Sequence, residues 1–336
     1  MDGIKNAAFT GNTKEGNPYS GDLEKGIHYD VYEANFNLIE QKGDKPEILT
    51  PYRSAARKLI RYFFADKERH KLEYILDIGS GTGISTLELL SQNPKIFVLG
   101  VEISEGMLHI CNYKFHKIDG GELKTDDKNL IKYWEEFKSE SERYKDNVSF
   151  LLGDIQKTEE IEPESIDGAI GNQVMHWTDL SKSFAQLNKF LKDGSSVVWN
   201  TSSHFYNDLE FPSAEFGFRY NDFLGLVLEE IRKKVDVNDY RTLSVPQHNI
   251  DTIKDVTLEQ RFRTEQIATF LVPVDFQVFI KHIPPCVKSL ITSETNDDEI
   301  QHIIKDAIAK TINNPAAFGD VKHKFDVNPI FRSTKY

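Results

Sequence analysis

The sequence predicts an α/β protein in three layers, with a parallel sheet between helices, and three observations carry that prediction. Short apolar runs such as Tyr74 to Ile78 lack polar alternation, as strands buried on both faces do. Stretches with apolar residues at helical spacing separate these runs, so strands and helices alternate along the chain. The conspicuous acids and glycines follow directly after the apolar runs, where open α/β sheets bind their ligands.

Residues 1 to about 28 are rich in Gly, Asn, Lys and Asp and have little to bury, so residues 1–50 read as an N-terminal arm or cap, either flexible or ordered as a strap by ligand. From Pro51, the spacing of Ala55, Leu59, Tyr62 and Phe63 predicts a helix. Tyr74 to Ile78 is the first strand, Ile84 to Leu90 a helix, and Ile96 to Val101 the second strand. Ser104 can cap the helix that carries Met107, Leu108 and Cys111. Lys117 to Asn147 is charged and longer than a minimal connection, which predicts a solvated helical insertion containing Leu130, Tyr133, Trp134 and Phe137. Val148 to Leu152, Ile166 to Ile170 and Ser195 to Trp199 supply three more strands. Before the last of them Leu180, Phe184, Leu187 and Leu191 mark one face of a helix expected to end at Gly194 as a left-handed cap. Residues 51–203 form the predicted ligand-binding core. Residues 204–263, opening with Phe205, Tyr206, Phe211, Phe216 and Phe218, read as an aromatic-rich helical lid. Residues 264–336 carry strands near Thr264 to Val274 and Asn328 to Thr334 that complete the sheet, with a further helical insertion.

Composition narrows the function. A formal net charge of -12 opposes nonspecific attraction to nucleic acid or to an anionic membrane. The two cysteines, Cys111 and Cys286, lack disulfide-scaffold numbers and metal-site spacing, which points to a reducing compartment. No signal-peptide core or membrane span is read in the chain, so a cytoplasmic protein is expected.

The segment from Tyr74 to Gly83 ends a strand in an acid and then three glycines at alternate positions. Such a turn lets the backbone lie against a nucleotide where a Cβ would collide. A dinucleotide fingerprint starting at Gly79 needs a small residue at position 84 and meets Ile84; started at Gly81 it meets Thr86 at position 86. Asp77 suits the cationic amino group of a methionine-type ligand better than a diphosphate. Together these features suggest S-adenosylmethionine. Glu102, at the end of the second strand, can accept hydrogen bonds from vicinal ribose hydroxyls. Asp154 can accept from an adenine amine while Ile155 packs on the ring, and Met107 can cover its other face.

With these motifs the chain resembles the class I S-adenosylmethionine-dependent methyltransferases over roughly Tyr52 to Ser203. The resemblance rests on Leu76 to Gly83, Gly100-Val101-Glu102-Ile103-Ser104, Gly153-Asp154-Ile155 and Ile166 to Ile170 with its following loop. Leu191-Lys192-Asp193-Gly194 resembles the family's Leu-Lys-Pro-Gly turn, with Asp193 in place of proline. It implies a Rossmann-like, mostly parallel seven-stranded sheet. It also implies that Asp77, Gly79, Ser80, Gly81, Gly83, Glu102, Ile103, Met107, Asp154, Ile155 and Asn172 hold the cofactor. The loop Gly171 to Trp177 resembles the acceptor-facing Leu-His-Trp loop of small-molecule methyltransferases. On that basis Gln173, His176, Trp177, His204 and Tyr206 are expected to meet the substrate, with His176 as the catalytic candidate. A histidine hydrogen-bonded to a loop carbonyl is the structural alternative for His176. No Asn/Asp-Pro-Pro-Tyr stands here, and Trp199-Asn200-Thr201 lacks the Asp-Asn pair of metal-dependent catechol enzymes, so no metal and no nucleic-acid substrate are expected.

The reading is therefore a metal-independent methyltransferase acting on a small, partly apolar acceptor through oxygen, nitrogen or carbon, in specialised metabolism. A nicotinamide-dependent oxidoreductase and a catalytically silent methyltransferase-like binding subunit are the alternatives. The sequence leaves the acceptor and the oligomeric state open.

Overall fold

The computed structural model describes residues 38–42, 45–49, 51–65, 71–116, 125–200, 220–237, 250–273, 296–312 and 325–336, with single positions 27, 30, 34, 123 and 291 besides. The first described strands form a hairpin of β1 (Leu38–Lys42) and β2 (Lys45–Leu49), followed by α1 (Pro51–Phe64). Pro51 sits at the first helical position, where its missing N–H is no loss. Alternation then follows the prediction through β3 (Tyr74–Ile78), α2 (Ile84–Gln92), β4 (Phe97–Glu102) and α3 (Glu105–Lys114). It continues through α4 (Lys128–Ser141), β5 (Val148–Leu152), β6 (Gly168–Asn172), α5 (Leu180–Phe190) and β7 (Ser196–Asn200). Last come α6 (Tyr220–Arg232), α7 (Ile250–Glu259), β8 (Phe262–Pro273), α8 (Asp297–Ile312) and β9 (Phe325–Lys335).

The seven-stranded sheet has the order β5-β4-β3-β6-β7-β9-β8, parallel except where β9 runs against both of its neighbours. After β3 the chain builds outward through β4 and β5, then returns to add β6 on the opposite side. The carboxyl ends of β3 and β6 thus flank the point where strand order reverses, the position at which such sheets open a ligand crevice.

Successive residues of each strand supply opposite cores. Ile75, Val98, Val148, Ile170, Val198 and Ile330 pack under α1 and α2 with Leu59, Phe63 and Leu87. Leu76, Leu99, Leu151, Ala169, Val197 and Phe331 pack under α5 and α7 with Phe184, Leu187 and Ile253. Burial on both faces is why these strands read as unbroken apolar runs.

Three details depart from the sequence reading. The helix after β6 ends at Phe190, because Leu191 turns extended to bridge Ile166 and is fully buried. Gly194, with φ +80°, therefore serves the following turn and not the helix cap. The charged insertion is only half solvated: Asp127 caps α4, while Trp134 and Phe137 are buried, Phe137 in the same cluster as α1 and α2. The predicted lid is not one unit either. Ile253 of α7 lies in the main core, and α6 packs on α8. Residues 201–219, with most of the aromatic cluster, lie outside the described residues.

Candidate functional site

The turn after β3 is shaped by three residues with positive φ: Gly79 (+61°), Gly81 (+55°) and Gly83 (+89°). They are glycines for different reasons. A Cβ on Gly79 would stand 2.4 Å from Val174 Cγ2, so the loop after β6 closes directly on this turn. Among the described residues a Cβ on Gly81 would meet nothing nearer than a backbone oxygen at 3.9 Å, leaving space beside the backbone for a ligand. Ser80 ties the turn to β4 by donating its N–H to Val101 O at 3.2 Å, and its own hydroxyl is buried without a partner among the described residues.

Asp77 and Glu102 stand beneath this turn. Asp77 is fully buried, and its Oδ2 accepts from Ser85 Oγ at 2.7 Å and Thr86 Oγ1 at 2.6 Å, both in the first turn of α2. Its Oδ1 has no partner among the described residues. Burial pushes the Asp77 carboxyl up to about 7, against the pull of the two hydroxyls, and the nearby charge of Glu102 adds to the rise. Glu102 is also buried; its Oε2 accepts from Gly81 N and its Oε1 from Ser104 N, each at 2.8 Å. Burial raises its pKa while those backbone donors hold it down. Glu102 thus fastens the glycine turn to the start of α3, where Ser104 accepts from Met107 N at 3.3 Å.

At the end of β5, Asp154 accepts through Oδ1 from the Gln156 amide and side chain, both at 3.0 Å, while Ile155 is buried beside it. Ile103 is half-buried and Met107 is buried. The acids predicted for the cofactor, Asp77 for its amino group and Glu102 and Asp154 for its nucleoside, therefore stand toward the carboxyl ends of three adjacent strands, β3, β4 and β5.

On the other side of the crevice, Asn172 ends β6 and its buried Oδ1 has no partner among the described residues. Gln173 follows in a left-handed conformation (φ +59°), uncommon for a residue with a side chain, and donates its N–H to Asn200 Oδ1 at 2.9 Å. The backbone of His176 lies in a short 3-10 turn, Met175–Trp177, and Trp177 beside it is half-buried. The His176 side chain, His204 and Tyr206 lie outside what the structure describes. Among the described residues no cluster of three or more His, Cys, Asp or Glu could hold a metal.

Sequence reasoning missed Asn200, which is fully buried and paired in register with Asn172. Its signal was present: Val197-Val198-Trp199-Asn200 is an apolar strand ending in a polar residue, the pattern that singled out Asp77 and Glu102. Ser85 and Thr86 were missed too, since nothing local shows that their hydroxyls turn back to Asp77.

The residues fit a nucleoside with a cationic tail. The space beside Gly81 would admit it, and buried, unpartnered polar atoms on Asp77, Ser80 and Asn172 surround the crevice. Residues 76–199 match the family model described as a methyltransferase domain. Malonyl-[acyl-carrier protein] O-methyltransferase of Nitrosospira multiformis is 27% identical over 145 residues, 40% of this chain and 43% of that protein. A probable S-adenosylmethionine-dependent methyltransferase of Saccharomyces cerevisiae is 25% identical over 172 residues, 49% of this chain and 48% of its own. The chain thus spans under half the length of the curated relatives it matches. The solved phosphoethanolamine N-methyltransferase 2 of Haemonchus contortus is a distant likeness, at 16% identity and a TM-score of 0.47 over 94% of this chain and 57% of that one.

Proposed function

We propose that the chain, whose residues 76–199 match the methyltransferase-domain family model, is a class I S-adenosylmethionine-dependent methyltransferase that transfers the methyl group of that cofactor to a small, partly apolar acceptor. The observation that carries the reading is the open backbone at Gly81, whose N–H is held by the Glu102 carboxylate, in a turn that meets the β6 loop where Gly79 faces Val174. When bound, the cofactor supplies an electrophilic methyl on a sulfonium.

Every other contribution comes from the chain. Glu102, already fixed by two backbone donors, has lone pairs left to accept from ribose hydroxyls. Asp154 holds the adenine amine, with Ile155 and Met107 on either face of the ring. The unpartnered oxygens of Asp77 and Asn172 receive the ammonium of the methionyl tail. The loop Gln173 to Trp177 meets the acceptor, with His176 taking its proton where the acceptor must lose one. The protein's main task is alignment of acceptor, methyl and sulfur.

Calorimetry tests the reading. S-adenosylmethionine and S-adenosylhomocysteine should bind, and NAD should not. NAD binding without a response to either sulfur nucleoside would overturn it. His176→Ala should lower turnover where the acceptor must lose a proton, or raise the acceptor's KM where it is a carboxylate, far more than it weakens cofactor binding; unchanged kinetics would make His176 a structural residue.

A further inference from the structure

We propose that Asn200 holds the methyl acceptor and that the acceptor is a carboxylic acid, one of whose carboxylate oxygens accepts a hydrogen bond from Asn200 Nδ2. The proposal rests on the methyltransferase reading above and goes beyond it in naming the acceptor's chemistry.

The orientation of the Asn200 amide is fixed by its neighbour. Oδ1 accepts from Gln173 N at 2.9 Å, and only a carbonyl oxygen can do so, which turns Nδ2 the other way. Nδ2 is then a fully buried donor with no partner among the described residues. Such a donor is destabilising unless something completes it, and a ligand oxygen would do so.

Position says which ligand. The acids assigned to the nucleoside follow β5 and end β4, and Asp77 of β3 and Asn172 at the end of β6 are assigned to the methionyl tail. Asn200 ends β7, one strand further on, about 5 Å beyond β6 and roughly 14 Å from β4. A cofactor whose ribose is held at Glu102 extends toward β6, and its methyl must be met from the far side. A neutral donor bonds most strongly to a charged oxygen, so a carboxylate compensates its burial best. A carboxylate is also nucleophilic without losing a proton, so this arrangement works without a general base.

The test uses the full-length protein with octanoate, adipate, cinnamate and trans-aconitate as methyl acceptors, following S-adenosylhomocysteine formation. At least one should be methylated. Asn200→Asp keeps an oxygen for Gln173 N, replaces the donor by an acceptor and sets a negative charge against the acid. It should raise KM for that acid roughly ten- to a hundredfold, with a smaller change in kcat and unchanged affinity for S-adenosylhomocysteine. If that variant does not fold, Asn200→Ala, which removes the donor without adding a charge, carries the same reading. An unchanged KM, an equal loss of cofactor affinity, or a protein that binds S-adenosylhomocysteine yet methylates none of these acids overturns the proposal. Failure of the wild type to bind S-adenosylhomocysteine at all would sink the methyltransferase reading with it.

Discussion

Asp77 commits one carboxylate oxygen to two hydroxyls and leaves the other buried without a partner among the described residues. Its pKa moves from 3.8 to about 7 on folding. The folded protein therefore holds this proton more tightly than the unfolded chain, so its contribution to stability is greatest below pH 3.8, declines as pH rises, and levels off above about 7. Asp77→Asn keeps an acceptor for Ser85 and Thr86 but cannot ionise. Its melting temperature should exceed the wild type's at about pH 8 and match it near pH 4; equal shifts at both would show that ionisation is not the cause. A cation brought beside Asp77 favours its charged form, so cofactor binding at about pH 6.5 should release protons, seen as a dependence of calorimetric heat on the buffer's ionisation enthalpy. Glu102→Gln should weaken cofactor binding by about 1.5 to 3 kcal/mol, and wild-type affinity would refute the ribose assignment. The positions of these acids were legible in the sequence because each ends an apolar run. Their partners were not, since a hydroxyl eight or nine residues on reaches back only once the turn is built.

At the scale of elements, the glycine turn separates fold from function. Gly79→Ala places a methyl group 2.4 Å from Val174 Cγ2 on a left-handed backbone, so it should lower the melting temperature strongly. Gly81→Ala meets only the backbone penalty of about 1 to 2 kcal/mol, yet its methyl occupies the ligand's space. It should remain folded while losing cofactor affinity in calorimetry. Further along the sheet, Trp199 Nε1 donates to Ser333 Oγ at 3.2 Å. Ser333 Oγ also bonds Thr264 Oγ1 at 2.7 Å, which bonds Thr257 Oγ1 at 2.7 Å. This buried chain joins β7, β9, β8 and α7. Ser333→Ala should lower unfolding free energy by about 1 to 3 kcal/mol in denaturant titration without altering cofactor affinity. The five parallel strands were read to within two residues, because two buried faces leave a plain apolar signature. The end of α5 was misread, because a left-handed glycine marks a turn as well as a cap and only the Ile166 bridge decides between them. The β1–β2 hairpin was hidden in the arm by its mixed, charged sequence.

Across the whole molecule, Asp30 is fastened to the end of α3 through a buried ion pair and to the insertion through Trp134. Lys114 Nζ lies 3.1 Å from both oxygens of Asp30, Trp134 Nε1 donates to Asp30 Oδ2 at 2.6 Å, and the ammonium sits 4.1 Å from the centre of the Phe137 ring. Removing one partner strands a charge in the interior, so Asp30→Ala should lower unfolding free energy by about 3 to 5 kcal/mol, with little dependence on salt. No composition or periodicity pairs Asp30 with Lys114 across 84 positions, so this contact was beyond sequence reasoning. The place of β9 has a consequence in time. It lies between β7 and β8 although it is synthesised after both. A chain emerging from the ribosome must therefore keep a slot open beside β7, with strand edges unpaired, until residues 325–335 arrive to fill it. Those open edges are what invites association with other chains, so the half-made protein, more than the finished one, is where demand for chaperones should be greatest.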